Sequence, residues 1–245
     1  MLPHVMIATP CKDGKVDVNY AIDLAATCQV LNRAGIKHRI STACTSSIDN
    51  GRSCLATLFL KTDSTHLLFI DDDMAWAPDL PLRMLNEHVD IVGVPYRKKK
   101  PELEYTVRHG LNVGMMQDHP WMMKVDAIGM GMTLIDRKVL EKLALDVPEY
   151  HFYSHEKKDP QKLFFRHDLV DDGKGNIYYE SEDFNFCRLA REKGFDIWAY
   201  VDEVVPHIGR TAFVGRYSDQ VGADTEHGFT AERERMTVNL LGVEM

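Results

Sequence analysis

The sequence has few cysteines and no long apolar run, and each shortage excludes a class of protein. Its five cysteines are scattered, odd in number and never spaced as Cys-x-x-Cys, so neither a disulfide framework nor a structural zinc site is expected. No stretch approaches the roughly 18 consecutive apolar residues that a membrane-spanning helix needs, so no membrane span is expected. The first residues lack the basic and then apolar pattern of a signal peptide, and we therefore expect a cytoplasmic protein.

Positive charge and the common catalytic signatures are also scarce. The formal net charge of −8 argues against a surface built to bind nucleic acid. The only dense basic run, Arg97-Lys98-Lys99-Lys100, is either a solvated loop or a local site for a polyanion. A glycine-rich phosphate loop between a strand and a helix is missing, and so is the Gly-x-Ser-x-Gly turn of serine hydrolases. These absences exclude the P-loop enzymes and the α/β-hydrolases.

The apolar pattern of the first half alternates between strand and helix. Apolar residues at helical spacing predict helices over residues 18–32 and 48–60, with a short helix after Pro78. Short apolar runs predict strands at residues 5–9, 36–42, 67–70 and 90–94. This order predicts an α/β domain with a mostly parallel central sheet, flanked by helices that connect the parallel strands through right-handed crossovers.

The second half is less regular. Strands are predicted at residues 121–126, 131–135, 195–200 and 204–207, with helices at 136–143 and 179–193. Residues 97–120 are expected to form hairpins or an excursion loop. Residues 148–178 are expected to form a long loop, which in a compact domain is usually functional or mobile. The tail from residue 210 is expected to be flexible as far as a last helix near residues 230–241.

A buried strand that ends in three acids is the most informative feature of the chain. Leu68-Phe69-Ile70 runs directly into Asp71-Asp72-Asp73. Strand ends of α/β sheets open onto the ligand crevice, and crowded carboxylates there need a cation or a network of donors among them. Mg²⁺ commonly links one or two carboxylates to substrate phosphates. We therefore expect a site for a metal-bound phosphate, the alternative being a solvated acidic turn that caps the next helix.

Arg52 interrupts an apolar stripe of the second helix. Ile48, Leu55 and Phe59 define that stripe, and Arg52 lies four residues after Ile48 on the same side. An inward guanidinium needs an anionic partner, which either the acidic strand end or a ligand phosphate would supply. The alternative is an arginine that extends along the helix to solvent.

Asp183 is placed in the same way near the start of a later helix. It continues the apolar face formed by Phe186, Cys187 and Ala190, whereas Glu182 is explained by the dipole of the helix amino terminus. An acid at the floor of a cleft is a candidate general base, and capping of the helix is the competing explanation.

Taken in order, six segments resemble the nucleotide-sugar glycosyltransferases of the GT-A fold, in a family-2-like, DxD-containing form. They cover roughly residues 4–210, and they are Ala8-Thr9-Pro10, Ile48-Asp49-Asn50-Gly51-Arg52, Leu68-Phe69-Ile70-Asp71-Asp72-Asp73, Gly129-Met130-Gly131, Ser181-Glu182-Asp183-Phe184 and His207-Ile208-Gly209. The resemblance implies a single domain over residues 1–245. Within it, residues 1–95 would be a nucleotide-binding half, 96–210 an acceptor-side half and 211–245 a lid, tail and last helix.

The resemblance also implies roles for individual residues. Asp71, Asp73 and His207 would bind a manganese or magnesium ion (Mn²⁺ or Mg²⁺), although the register of the three acids stays open. Asp183, with Glu182 beside it, would supply the catalytic base. The donor, a UDP- or GDP-sugar, would contact a further set of residues: Thr9, Pro10, Arg52, Asp71, Asp72, Arg210 and Arg216. Gly129, Met130 and Gly131 would lie on the acceptor side.

The implied reaction is metal-dependent transfer of a sugar from a nucleotide-diphosphate sugar to an acceptor hydroxyl, with inversion and with Asp183 as base. The acceptor would be a glycan, a protein, a small molecule or a modified base of DNA. Retaining transfer on the same fold is the first alternative. A sugar nucleotidyltransferase and a non-catalytic module that binds nucleotide sugars are the others.

Overall fold

The computed structural model describes residues 3–110, 114–151, 159–209 and 211–224 of the chain. Its first half contains β1 (His4–Cys11), α1 (Val18–Arg33), β2 (Lys37–Cys44), α2 (Ile48–Leu60), β3 (His66–Ile70), α3 (Leu80–Asn86), β4 (Ile91–Gly93), β5 (Val107–Arg108), β6 (Gly114–Met116) and β7 (His119–Val125). The second half contains β8 (Ala127–Ile128), β9 (Met132–Asp136), α4 (Arg137–Leu143), β10 (Glu149–Tyr150), β11 (Gln161–Lys162), β12 (Asp168–Asp171), β13 (Ile177–Glu180), α5 (Glu182–Glu192), β14 (Ile197–Tyr200), β15 (His207–Ile208), β16 (Ala212–Phe213) and α6 (Tyr217–Asp224).

Eight strands form the central sheet in the order β2-β1-β3-β9-β4-β14-β7-β6. β1 pairs in parallel with β2 and β3, and β14 pairs in parallel with β4. β9 runs antiparallel between β3 and β4, and β7 runs antiparallel between β14 and β6. Most strands therefore point the same way, and the carboxyl ends of β1, β3 and β4 share one edge. The predicted α/β fold class, a mostly parallel sheet flanked by helices, is confirmed.

Alternating residues of the buried strands pack on opposite faces of the sheet. Met6 and Ala8 join one core with α2, α4 and α5, whereas Val5 and Ile7 join the other core with α1 and α3. Phe59 and Phe69 are fully buried in the first core. Burial of each such side chain contributes about 1.5–3 kcal/mol, so helix packing on both faces holds the strand ends in place.

Local capping explains where two of the helices begin. Asp17 accepts a hydrogen bond from the backbone nitrogen of Asn19 at 2.8 Å, and Asp136 accepts one from Lys138 at 2.9 Å. Each satisfies an amide that a helix amino terminus otherwise leaves without a partner. None of the helices within the described ranges is both long enough and apolar enough to cross a membrane.

Several predicted elements of the second half are corrected. The helix predicted from residue 179 starts at Glu182, because residues 177–180 form β13 and pair with β12. In the predicted long loop of residues 148–178, the described part contains two short antiparallel pairs, β10 with β11 and β12 with β13. These strands were not predicted because their polar residues lack a regular apolar alternation.

The carboxyl-terminal part also differs from the prediction. Residues 211–224, expected in a flexible tail, contain β16 and α6, and Tyr217 is buried with its ring 5.1 Å from that of Tyr105. The helix predicted near residues 230–241 lies outside the described residues. The division into residues 1–95, 96–210 and 211–245 stays a prediction, and the central sheet takes strands from the first two of these parts.

Candidate active site

Arg52 projects from α2 into a cluster of three carboxylates. Its side chain is only 1% exposed, and its Nη2 donates to both oxygens of Asp71, at 2.9 and 3.1 Å. Its Nη1 donates to Glu182 at 2.9 Å and to Asp183. Asp71 follows β3, and the other two acids lie in the first turn of α5. One guanidinium therefore ties the acidic strand end to the beginning of the later helix.

This cluster carries more negative than positive charge. Three carboxylates that each lie within hydrogen-bond distance of one guanidinium leave two negative charges without compensation when all are ionised. Burial, reinforced by the charges of Glu182 and Asp71, raises the pKa of Asp183 although Arg52 opposes that change. A carboxyl group whose pKa moves toward neutrality is suited to exchange a proton with a substrate.

The Gly129-Met130-Gly131 segment supplies backbone groups to the same cluster. The Met130 nitrogen donates to Asp183 at 3.1 Å, and the Asp71 nitrogen donates to the Gly131 carbonyl at 3.0 Å. A Cβ at Gly131 would lie 2.6 Å from the Tyr96 hydroxyl and 2.9 Å from an Asp71 oxygen. A side chain at residue 131 would push these groups apart, so glycine permits the close approach. The acceptor-side role of the segment stays a prediction.

Tyr96 is buried beside the cluster and was not identified from the sequence. Its hydroxyl accepts a hydrogen bond from the Gly131 nitrogen at 3.2 Å. Burial, together with the charges of Asp71 and Asp183, raises the pKa of Tyr96 well above its ordinary value, so the ring stays neutral. Its position shortly after β4, at the same sheet edge as Asp71, is the only sequence signal that would have indicated it.

Asp73 lies apart from the Arg52 cluster, between Lys99 and His207. Lys99 Nζ is 2.5 Å from one Asp73 oxygen, and His207 Nε2 is 3.4 Å from the other. The backbone joins the same segments, because the Ile208 nitrogen donates to the Asp73 carbonyl at 2.7 Å. Asp73 and His207, predicted as metal ligands from distant parts of the chain, therefore face one another.

The ring orientation of His207 fits a cation between it and Asp73. Its Nδ1 is 2.9 Å from the Arg97 carbonyl, which can only accept, so Nδ1 carries a proton. A neutral ring then points the lone pair of Nε2 at Asp73 Oδ1, which is buried and has no hydrogen-bond partner within the described residues. Two facing acceptors require a proton or a metal between them. Metal-binding histidines commonly donate their other nitrogen to a backbone carbonyl in this way.

No group of three or more His, Cys, Asp or Glu side chains in the described part of the chain is arranged to hold a metal ion. Asp73 and His207 would thus supply only two of the ligands that a metal ion needs. Such a pair suits an ion that takes its other ligands from water and phosphate oxygens. Asp71 has both oxygens engaged by Arg52, so its contacts favour charge pairing. Its predicted role as a metal ligand stays a prediction without support from this geometry.

Asp72 lies close enough to Cys11, at the end of β1, for its charge to add to burial in raising the pKa of that thiol, and the nucleotide was predicted to bind at this end of β1. Burial and the charges of Asp73 and Asp71 raise the pKa of Asp72 to about 6. Thr9 is fully buried with its hydroxyl bonded to that of Tyr20, and Pro10 is also buried. The Thr9 side chain is therefore committed to the core, and the donor-binding roles of Thr9, Pro10 and Asp72 stay predictions.

The two predicted donor-binding arginines of the tail have different outcomes. Arg210 lies outside the described residues. Arg216 Nε is 3.4 Å from an Asp202 oxygen, and its carbonyl accepts a hydrogen bond from Tyr105 at 3.0 Å. These contacts hold Arg216 against the body of the protein, and its role toward a donor stays a prediction.

An exposed aromatic residue lies beside the cluster. Tyr179 of β13 is 70% exposed and stacks on His167, with ring centroids 5.1 Å apart and an angle of 17° between the planes. His167 Nε2 is in turn 3.8 Å from a Glu182 oxygen. The stacked pair therefore places the exposed ring of Tyr179 one side chain away from Glu182, one of the acids that surround Arg52.

Comparisons with known proteins bear on the fold. No protein-family model matches the chain, and no curated protein matches it. Among solved structures, the chain is similar to A197 from STIV, with 18% identity, a TM-score of 0.51, and coverage of 84% of this chain and 86% of that chain. At this identity the likeness establishes a shared fold and nothing further.

Weaker likenesses include two proteins that were crystallised with nucleotide sugars. Drosophila β1,4-galactosyltransferase 7, in a complex with manganese, UDP-Gal and xylobiose, has 12% identity, a TM-score of 0.47, and coverage of 88% of this chain and 76% of that chain. UDP-glucose pyrophosphorylase, in a complex with UDP-glucose, has 7% identity, a TM-score of 0.43, and coverage of 88% and 92%.

Proposed function

We propose that the protein is a metal-dependent glycosyltransferase that moves a sugar from a nucleotide-diphosphate sugar to an acceptor hydroxyl, with inversion at the anomeric carbon. The observation that carries this proposal is the juxtaposition of two acidic centres at one sheet edge. Asp73 and His207 form a pair suited to a cation, and Asp183 is held by Arg52 with a raised pKa. Such an arrangement supports departure of a phosphate at one centre and proton abstraction at the other.

The donor diphosphate is proposed to bind beside Asp73 and His207. A divalent cation held there would neutralise the charge that develops on the departing diphosphate. The chain's own contribution is to orient the two ligands, because the Arg97 carbonyl holds the His207 ring and the Ile208 nitrogen holds the backbone of Asp73. Ligands that are already oriented need little rearrangement when the ion arrives.

Asp183 is proposed to act as the base. Its carboxylate takes the proton of the acceptor hydroxyl while that oxygen forms a bond to the anomeric carbon and the bond to the diphosphate oxygen breaks. Arg52 and the Met130 nitrogen each use one lone pair of the carboxylate, so further lone pairs remain for the substrate proton. The raised pKa makes the proton transfer more favourable than it would be for an ordinary aspartate.

The acceptor is proposed to be a neutral carbohydrate that packs on Tyr179. The exposed ring stacks on His167, which in turn lies near Glu182, and the turn of the β12–β13 hairpin that carries it contains the exposed acids Asp171 and Asp172, with Lys174 as a lone basic residue. These acids disfavour a polyanion. In the basic run, Lys98 and Lys100 are paired with Glu104 and Lys99 with Asp73, which weakens the alternative of a modified DNA base as acceptor.

Isothermal titration calorimetry with UDP- and GDP-sugars, with and without Mn²⁺, tests this function. We expect one nucleotide class to bind with Mn²⁺ and to lose about tenfold or more in affinity without it or in Asp73→Asn. The matched control is Asp63→Asn, because Asp63 lies beyond the opposite end of the sheet and pairs with Arg39. Binding that ignores both the metal and the substitution would overturn the proposal.

A further inference from the structure

Lys99 already supplies a positive charge to Asp73, the carboxylate at which a cation is proposed to bind. Its Nζ lies 2.5 Å from Asp73 Oδ2, on the side of the carboxylate away from His207. Both side chains are about one third exposed, at 33% and 34%. The ion pair is therefore open to solvent and to a ligand, and it is not part of the packed core.

The other residues of the basic run have different partners. Lys98 and Lys100 both reach Glu104, and Arg97 donates to the carbonyls of Val214 and Pro101. Among these four basic side chains, Lys99 is the one that contacts the acidic strand end. The run thus consists of three residues that fasten a loop and one that is directed into the candidate site.

The backbone beside Lys99 is held while its side chain has room to move. The Lys98 nitrogen donates to the Glu104 carbonyl at 2.8 Å, and the Arg97 carbonyl accepts from His207. The Lys99 stem passes over Gly209, where an added Cβ would lie 3.4 Å from Cδ. With a flexible four-carbon stem, the ammonium group can leave Asp73 without displacement of the loop.

A divalent cation and Lys99 compete for Asp73. Both carry positive charge, and a cation bound by Asp73 and His207 would lie a few ångströms from the ammonium group and repel it. The same cation attracts phosphate oxygens as further ligands, which brings negative charge into the region that Lys99 can reach. With both a cation and a phosphate present, the ammonium group would have a new anionic partner in place of Asp73.

We propose that Lys99 is an internal counter-ion that neutralises Asp73 in the absence of metal and then pairs with the donor diphosphate once a divalent cation displaces it. The second half of this proposal rests on the proposed function. Lys99 would oppose the binding of metal alone and favour the binding of metal together with a nucleoside diphosphate. The enzyme would thus take up its metal mainly with the donor.

Two titrations of Lys99→Met test this coupling, since methionine keeps an unbranched stem and removes the charge. For Mn²⁺ alone, measured by calorimetry, we expect the variant to bind about three- to tenfold more tightly than the wild type. For UDP and GDP at saturating Mn²⁺, we expect the nucleotide that the wild type prefers to bind about tenfold more weakly. Lys98→Met is the matched control and should change neither affinity, because Lys100 still pairs with Glu104.

The opposite signs of the two effects distinguish this role from a structural one. If Lys99→Met weakens both titrations, or leaves both unchanged, the coupling does not exist. Lys99→Arg keeps the charge and should stay within about threefold of the wild type in both titrations. If the wild type binds neither UDP nor GDP with Mn²⁺, the proposed function fails and the diphosphate half falls with it, whereas the titration with Mn²⁺ alone still decides the competition for Asp73.

Discussion

Arg52 donates from one nitrogen to both oxygens of Asp71, at 2.9 and 3.1 Å. A buried guanidinium therefore pairs with the first acid after β3. The same guanidinium uses its other terminal nitrogen for Glu182 and Asp183. Because α2 and α5 are separated by more than a hundred residues, this contact defines the distance between the acidic strand end and the proposed base.

Removal of the Arg52 charge should destabilise the protein strongly. Arg52→Met leaves three buried or half-buried carboxylates without their cation, and the loss of one partner from a buried ion pair costs about 3–5 kcal/mol. We expect the free energy of unfolding in urea to fall by about this amount at neutral pH. Arg39→Met is the control, because Arg39 pairs with the exposed Asp63, and it should change stability little. Equal effects of the two substitutions would contradict the role given to Arg52.

Asp183→Asn should separate catalysis from donor binding. The amide keeps the size of the side chain and cannot take a proton, so the transfer rate should fall by about 10²- to 10⁴-fold. Donor affinity with Mn²⁺ should change by less than about threefold, since Asp73 and His207 are untouched. A coupled assay for the released nucleoside diphosphate, together with calorimetry, measures both quantities. If donor affinity falls as far as the rate, Asp183 has a structural role.

The raised pKa of Asp183 predicts a specific dependence of stability on pH. Its carboxyl lies among Arg52, Glu182, Asp71 and the Met130 nitrogen, and burial raises its pKa above the ordinary 3.8. The folded state therefore holds this proton more tightly than the unfolded chain, so the contribution of Asp183 to stability is present at low pH and declines as pH rises through the raised pKa. Asp183→Asn removes this decline.

Urea denaturation of the metal-free protein from about pH 5 to about pH 8 checks that dependence. The free energy of unfolding of Asp183→Asn, relative to the wild type, should increase with pH in this range, with a slope of up to about 1.4 kcal/mol per pH unit below the raised pKa of Asp183, and level off above that pKa. Curves that stay parallel over this range would show that the carboxyl titrates at its ordinary value.

Gly131→Ala should disturb the base of the site. The new Cβ would lie 2.6 Å from the Tyr96 hydroxyl and 2.9 Å from an Asp71 oxygen, and relief of such overlap typically costs about 1–3 kcal/mol. Gly114→Ala is a matched control, because a Cβ at residue 114 meets no atom of the described part of the chain within 4 Å. We expect thermal unfolding to shift downward for the first variant and hardly at all for the second.

His207→Ala should weaken the binding of Mn²⁺ by about tenfold or more, because it removes one of the two protein ligands proposed for the ion. His38→Ala is the control, since His38 lies near the start of β2, at the far end of the parallel strands from Asp73. Calorimetric titration with Mn²⁺ measures both variants. Unchanged affinity in His207→Ala would remove the residue from the metal site.

The strongly patterned elements were predictable from sequence because their patterns reflect burial on a known period. β1, β3 and β4 are short apolar runs, and α1 and α2 carry apolar stripes at helical spacing. The place of Arg52 on such a stripe favoured an inward direction over extension to solvent, and its burial in the structure confirms that direction. The β12–β13 hairpin was not predictable in this way, because mostly half-exposed polar strands have no one-sided apolar pattern. The short strand β16 was not predictable either, because it also lacks such a pattern.

The sequence alone determined that an acidic strand end, an arginine on an apolar helix stripe and an acid at the start of a helix exist in this chain, because each depends on local spacing. Only the tertiary structure decided how they are paired. β9 lies antiparallel between β3 and β4, and this position places Gly131, just before β9, against Asp71. The first turn of α5 places Asp183 against Arg52 rather than against Asp73. The choice between Asp71 and Asp73 as partner of His207 likewise depends on contacts between segments far apart in the chain. Local periodicity states which face of an element is buried, but it carries no information about which distant element covers that face.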